Sequence, residues 1–365
     1  MKKTFFLVLI FLLCSPIFAQ KVNNTETELH EASFWHILDE KQKTVQCELC
    51  PREFIIPINQ TGYCTVRINK GGTLYTISYN HPVSLAVDPI EKKPVFHMLP
   101  GTKSFSLATA GCNMRCIHCQ NWEISQQPPQ KVKSYYLTPI QIVNMAKDSN
   151  SKSISYTYTE PVIFYEYMLD IAKLAKKDGL KNIMVTSGYI NQQPLEELVK
   201  YIDVFRVDLK GFTEDFYKKI ASAKLQPVLS NLKYLKQKGA HIEIINLVIP
   251  TLNDNPKDIK NMCLWIKENL GEETPLFFSR FYPMHKLTNL PPTPIQTLEM
   301  ARKIATECGL KYVYIGNVPG HPAENTYCPK CGKTLVGRVG YSITENNIRK
   351  SRCKFCNYKI YGIWE

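Results

Sequence analysis

The sequence has no internal repeat and no low-complexity tract, which excludes solenoid and fibrous architectures. It has no apolar run suited to a comfortable membrane span. Its conspicuous run, Phe5 to Cys14, falls well short of the ~20 residues that a spanning helix needs. Acidic residues are outnumbered, 32 against 45 Lys and Arg, so the chain carries +13. That charge favours an anionic surface, but it is spread along the chain and singles out no nucleic-acid site. What remains is 365 residues of ordinary hydrophobic content, enough for one large α/β domain with small appendages.

The N-terminus differs in kind. MKKTFFLVLIFLLCSPIFAQ places Lys2 and Lys3 before the apolar run and Ala19 before Gln20. That is the order of a secretory signal over 1–19, and it predicts an exported, periplasmic protein. Leu13 stands before Cys14 where a lipoprotein signal needs a small residue. No arginine pair marks the twin-arginine route. A retained anchor would leave the body outside, because the lysines mark the cytoplasmic side. A cytoplasmic or membrane-tethered protein is the alternative. Residues 20–43 are polar and read as a leader or linker.

Cysteine is plentiful, with 13 in the chain. In an exported protein the default expectation is disulfides, but the spacing argues otherwise. Cys112, Cys116 and Cys119 form CxxxCxxC. Cys328, Cys331, Cys353 and Cys356 form two CxxC pairs separated by 21 residues. Cys47, Cys50 and Cys64 make a third, less complete group. Cys263 and Cys308 fall in helical patterns and read as buried small hydrophobes. Four thiolates at the C-terminal spacing suit a closed tetrahedral zinc site, with Gly332 for the turn; a rubredoxin-like iron or an accessory cluster is the alternative. That module is too small for its own core, so metal would fold it. Arg349, Lys350, Arg352, Lys354 and Lys359 read as a solvated face rather than a nucleic-acid contact. The 112–119 group lacks a fourth ligand. A [4Fe–4S] cluster is usually held by four thiolates, so three would leave one iron open.

From about 104 to 316 strand and helix alternate. SFSLAT, SISYTY, NIMVTS, VFRVDL, IEIINLVI, LFFSRF and YVYIG read as strands. Helices are predicted after Thr138, after TYTEP, and around 194–201, 213–238, 256–269 and 295–308. This order implies parallel strands with right-handed crossovers. A TIM-like barrel, complete or partial, is favoured over a doubly wound sheet because functional-looking polar residues recur at strand ends. The predicted organisation is an N-terminal cysteine-containing module at 44–100, a barrel at 101–320 and a zinc-ribbon-like module at 321–365.

The segments VQCELCP, LAVDPIEKKPVFHMLPGT, ATAGCNMRCIHCQNWEISQ, SYTYTEPVIFYEY, NLVIPTLND, SRFYP, YIGNVPGHPAENTYCPKCG and KIYGIW occur in this order. Together they resemble the radical S-adenosylmethionine (SAM) enzyme of the AmmeMemoRadiSam system, a relative of the pyruvate formate-lyase activating enzymes. The resemblance runs from about Glu31 to Glu365. It implies a [4Fe–4S] cluster on Cys112, Cys116 and Cys119, with SAM chelating the free iron. An external electron donor would drive reductive cleavage, and the 5′-deoxyadenosyl radical would take hydrogen from an unknown substrate. Glu160 of TYTEP would meet the SAM ammonium; a helix N-terminal Glu favoured by the dipole is the bland alternative. Ser187 and Gly188 end the next strand, and Gly188 would let backbone approach a ligand. Asp208 and Lys210 of VDLKG would contact SAM or substrate, or form a plain salt bridge. Arg280 would hold a carboxylate, or lie on the surface. Asn253 and Asp254 follow a stretch expected near adenine, or cap the next helix. His118 belongs to the cluster loop without a ligand role.

Where related sequences carry a further cysteine in the N-terminal module, this chain has Phe54. A complete metal site at Cys47, Cys50 and Cys64 is therefore not expected; a three-thiolate remnant completed by another residue is the alternative. The implied partners are a protein substrate or companion proteins of the same system. A glycyl-radical-enzyme activase is a second enzymatic reading. A zinc-ribbon module binding nucleic acid or protein on a degenerate barrel is the non-enzymatic one.

Overall fold

A computed structural model describes residues 21–22 and 29–365. The expected signal segment at 1–19 lies outside these residues. Among the described residues no helix is long and apolar enough to cross a membrane.

Eight strands form the central sheet. They are Ser84–Pro89, Lys103–Ala108, Ser153–Tyr156, Lys181–Thr186, Val204–Asp208, His241–Val248, Leu276–Arg280 and Val313–Gly316. They lie side by side in chain order. The last seven pair in parallel, and the first is an antiparallel edge. A doubly wound sheet reverses its strand order at a switch point, and this one does not reverse. The strands are buried almost throughout, as a parallel sheet covered on both faces requires.

Local signals place the helices. Thr138 and Gln141 form a capping box for Pro139–Asp148. Tyr165–Lys177 buries Met168, Ile171, Ala172 and Ala175 along one stripe. It ends at Gly179 with φ +78°. The single helix expected over 213–238 is instead two. Glu214–Phe216 runs into a π-turn at Tyr217–Ala221, Ser222 turns left-handed, and Leu225–Gln237 starts afresh. The physical reason is tertiary: the carbonyls of Ile220 and Ala221 accept the N–H groups of Ile117 and Arg115 in the cysteine loop. A continuous α-helix would use those carbonyls itself.

Two module boundaries differ from expectation. The linker expected at 20–43 contains the strands His30–Glu31 and Trp35–Asp39, which pair with Thr73–Thr76 and Thr44–Cys47. A buried Arg67–Glu166 pair at 2.6 Å fastens this part to the helix Tyr165–Lys177. Removing one partner of such a pair leaves an uncompensated charge. The module expected at 44–100 also yields Ser84–Pro89 to the central sheet.

The C-terminal segment forms a three-stranded sheet of Thr326–Tyr327, Thr334–Val339 and Ser342–Asn346, with a small pair Ile348–Arg349 and Arg352–Cys353. The expectation that metal alone supports it is corrected. Leu335, Val336, Ile348 and Ile360 share a core with Phe96, Phe277 and Tyr314. His97 locks that junction: its Nδ1 donates to the Tyr361 carbonyl at 2.6 Å, and its Nε2 accepts from the Tyr314 hydroxyl at 2.7 Å.

Candidate active site

The loop carrying Cys112, Cys116 and Cys119 leaves the C-terminal end of the strand Lys103–Ala108 and is clamped from below. Gly111 has φ +100°, and a Cβ there would lie 2.6 Å from the Cys64 carbonyl oxygen. Arg115 donates to the carbonyls of Cys112 and Met114. Arg52 donates to the Asn113 carbonyl at 2.5 Å. Both guanidiniums stack on Tyr63, at 3.6 and 4.4 Å from the ring centre. The N-terminal module is thus the bed on which the cysteine loop rests.

The three cysteines open into a cavity of about 430 Å³, a size that suits a cofactor-sized ligand. Burial pushes the Cys112 thiol well above its ordinary range and Cys116 up to about 11. A bound cation would reverse that and favour the thiolate. Among the described residues these three sulfurs do not form a single-ion set. Cys328, Cys331, Cys353 and Cys356 do, with all four sulfurs within 4.8 Å of one another. The first set is open on the cavity side and suits a cluster. The second is closed and suits one ion. Cys47, Cys50 and Cys64 are likewise not a single-ion set.

Glu160 stands at the end of the strand Ser153–Tyr156. It is buried and lines the cavity. Its carboxylate accepts from Thr186 Oγ1 at 2.5 Å, Ser187 N at 2.8 Å and Ser187 Oγ at 2.6 Å. It also accepts from Val162 N at 3.3 Å, so it caps the following turn as well. Burial raises its pKa, and the hydrogen bonds from Ser187 and Thr186 oppose that rise. A cationic ligand group in the cavity would hold it ionised.

Arg206, Asp208 and Lys210 all line the cavity, at the two-residue spacing of one strand face. Lys210 Nζ lies 3.1 Å from Asp208 Oδ2, and Arg206 pairs with Oδ1. Burial opposes ionisation of Asp208, but Arg206 and then Lys210 outweigh it and hold the carboxyl below its usual range. Burial likewise opposes the Lys210 ammonium, yet Asp208 holds it charged. Asn253 does not cap the helix Pro256–Leu270; Asn255 does. The Asn253 amide instead donates to the carbonyls of Lys210 and Leu247, tying two strand ends together.

Two expected site residues point elsewhere. Gly188 has φ +70°, but the space its missing side chain leaves is filled by Val207 and Val228 rather than by a ligand. Arg280 does not line the cavity: its Nε donates to the Thr293 carbonyl at 2.9 Å, and its Nη1 meets the Tyr282 hydroxyl. Other lining residues were assigned no role from sequence. Glu91, Lys92 and Lys93 come from DPIEKKP, Tyr158 lies inside TYTEP, and Arg206 stands two residues before Asp208. The alternation in VFRVDLK was enough to find Arg206. The DPIEKKP segment precedes the parallel strands, so strand-end reasoning did not reach it.

The fold and site define an α/β enzyme whose open three-cysteine loop faces a polar cavity at the ends of parallel strands. The radical SAM superfamily model matches residues 106–265, so the chain carries a radical SAM domain there. An uncharacterized protein of Methanocaldococcus jannaschii is 49% identical over 334 residues, covering 91% of this chain and 99% of the relative; the two are members of one family. The pyruvate formate-lyase-activating enzyme of Clostridium pasteurianum is 26% identical over 160 residues, covering 43% of this chain and 66% of that enzyme. Among solved structures, a radical SAM methyltransferase from Sphaerobacter thermophilus aligns with TM-score 0.49 at 10% identity, covering 79% of this chain and 77% of that one. A domain of a pyruvate formate-lyase-activating enzyme from Bacteroides vulgatus aligns with TM-score 0.41 at 17% identity, covering 46% of this chain and 100% of that one.

Proposed function

We propose that this protein is a radical SAM enzyme of the AmmeMemoRadiSam type, built on a partial (β/α) barrel with a C-terminal zinc ribbon. The carrying observation is the convergence of Cys112, Cys116, Cys119 and Glu160 on one cavity. The residues fit the implied groups. Three thiols on a clamped loop, Cys116 buried and Cys112 and Cys119 half-buried, leave a cluster position open, and a buried carboxylate beside it suits the SAM ammonium. When bound, the cluster and SAM together supply reductive cleavage and a carbon radical for hydrogen abstraction.

The chain's own residues bind, orient and exclude water. Thr186 and Ser187 fix the Glu160 carboxylate so that it offers a preset acceptor. Asp208 and Lys210 hold one another at the cavity wall, where they can orient polar groups of SAM or substrate. The ribbon hairpin brings Gly340 and Tyr341 over the cavity, which narrows the path for water. The substrate is either a small molecule or a group presented by a protein. Export of the chain remains part of the proposal, and fractionation of the native protein tests it.

The deciding experiment is anaerobic reconstitution followed by iron and sulfide analysis and a SAM-cleavage assay with dithionite. A brown protein that forms 5′-deoxyadenosine supports the reading. Zinc without iron, or activity that survives Cys112→Ala, overturns it.

A further inference from the structure

The cavity wall beyond the cysteine loop carries a second group of reactive side chains. Lys93 lines it while its side chain is only 2% exposed. Its Nζ pairs with Asp88 and lies 3.3 Å from the Tyr158 hydroxyl, over whose ring it stands at 4.5 Å. Tyr158 donates to the same Asp88 carboxylate. Lys92 Nζ takes the other Asp88 oxygen at 2.8 Å. Arg206 lines the same cavity, and its buried Nε has no hydrogen-bond partner.

A buried amine on a cavity wall with further cations beside it favours the neutral, nucleophilic form of a lysine, while the carboxylate on its nitrogen opposes that form. A solely structural ion pair would need neither the second lysine on Asp88 nor the position on a cavity wall. Burial pulls the Lys93 ammonium down to about 8, Asp88 opposes that, and Lys92 and Arg206 add to it.

We propose that Lys93 is a catalytic residue that condenses with the carbonyl of the substrate, and that the substrate class is a 2-oxo acid. The Nζ lone pair adds to the carbonyl carbon, giving a carbinolamine. Loss of the hydroxyl as water leaves a protonated imine. One ammonium and one carbonyl become one iminium and one water, so no oxidant or reductant is needed. Burial opposes ionisation of Asp88, but Lys92, Lys93 and Tyr158 hold its carboxyl well below the usual range, so it stays ionised. The amine gives its proton to solvent water before the attack, and the departing oxygen takes one from solvent as it leaves as water. Arg206 and Lys92 supply the charge for the substrate carboxylate. The imine would fix a substrate carbon beside the SAM site. That consequence rests on the radical SAM reading, while imine formation does not.

The test separates the two. The full chain, without reductant for the cluster, is incubated with pyruvate, 2-oxobutyrate, 2-oxoglutarate or glyoxylate and sodium cyanoborohydride, then digested and mapped by mass spectrometry. The expected result is a reduced adduct on Lys93 well above that on the exposed lysines, with at least one of the four acids. Lys93→Arg keeps the charge opposite Asp88 and removes the adduct. Arg206→Gln leaves Lys93 in place and lowers labelling by each carboxylated probe. Labelling confined to exposed lysines with all four acids, or unchanged total labelling in Lys93→Arg, overturns the proposal. Either result can occur whether or not the protein cleaves SAM.

Discussion

The two cysteine sets that define this molecule differ in what surrounds them more than in their chemistry. Cys328, Cys331, Cys353 and Cys356 close on one another, with Cys328 and Cys356 sulfurs 3.5 Å apart and Cys331 and Cys353 sulfurs 3.8 Å apart. They sit on the turns of a small sheet, outside the cavity that the other set lines. Cys112, Cys116 and Cys119 are spread along a clamped loop and face a cavity of about 430 Å³. A closed set holds a fold together; an open set leaves a coordination position for chemistry.

The sharpest way to break that comparison is to remove one ligand from each set. Cys116→Ala should abolish iron uptake and 5′-deoxyadenosine formation while leaving the melting curve of the C-terminal sheet unchanged. Cys353→Ser should do the reverse: the iron remains and zinc is lost. A structural zinc is worth on the order of 10 kcal/mol to an isolated small module, but the C-terminal module shares a core with the main sheet, so the expected outcome is a lower melting temperature rather than complete unfolding. Metal analysis and calorimetry on both variants check this. If Cys353→Ser also removes the iron, the two sets are not independent.

The next effect concerns the seam between the regions. His97 is fully buried, and burial pushes its pKa down to about 4, with Glu243 and the Tyr361 carbonyl opposing and His241 and Arg338 adding. Nε2 must stay unprotonated to accept from Tyr314. A depressed folded pKa means that the unfolded chain binds the extra proton first. Stability is therefore complete above about pH 6.5 and is lost as the pH falls from there toward 4. The shift corresponds to on the order of 3 kcal/mol. Thermal melts across that window should show a slope that His97→Gln flattens. An equal slope in both proteins would place the acid sensitivity elsewhere.

A smaller effect tests the open set's neighbour. Glu160→Gln keeps the shape but removes the charge and turns one of the two accepting oxygens into a donor. SAM affinity should fall by about 2 kcal/mol, roughly thirtyfold, with iron content unchanged. Equilibrium dialysis with the reconstituted protein measures it. Unchanged affinity would return Glu160 to a capping residue only.

The sequence made much of this legible where the signal is local. The parallel strands follow from apolar runs separated by single helices, and CxxxCxxC identifies its own loop. Glu160, Asp208 and Lys210 were reached through the resemblance, and their places at strand ends agree with it. The failures have a common physical origin in tertiary contacts. Nothing near Ser222 says that Ile220 and Ala221 must give their carbonyls to the cysteine loop. Arg280 is out of phase with Phe277 and Ser279, the residues of its strand that line the cavity, and the Thr293 carbonyl holds it on the other face. The strands at 30–39 are short and keep Ile37 and Leu38 exposed, so their pattern resembles a polar linker. Lys93 was passed over because its segment enters the cavity from an antiparallel edge rather than from a parallel strand end.

The smallest effect concerns the bed beneath the open set. Gly111→Ala places a Cβ at φ +100°, 2.6 Å from the Cys64 carbonyl and 2.8 Å from Val66 Cγ1. The backbone conformation alone costs an alanine about 1–2 kcal/mol, and the carbonyl must move as well. No thiol is removed, so saturating reconstitution should still give the full iron content. Midpoint stability should fall by that amount, and the loop should exchange its amide hydrogens faster than in the wild type. The N-terminal cysteines would then matter through the shape of the segment that carries them rather than through a metal. If Gly111→Ala loses iron as completely as Cys112→Ala does, the loop tolerates no displacement at all, and the clamp formed by Arg52, Arg115 and Tyr63 is as necessary to the open set as its ligands are.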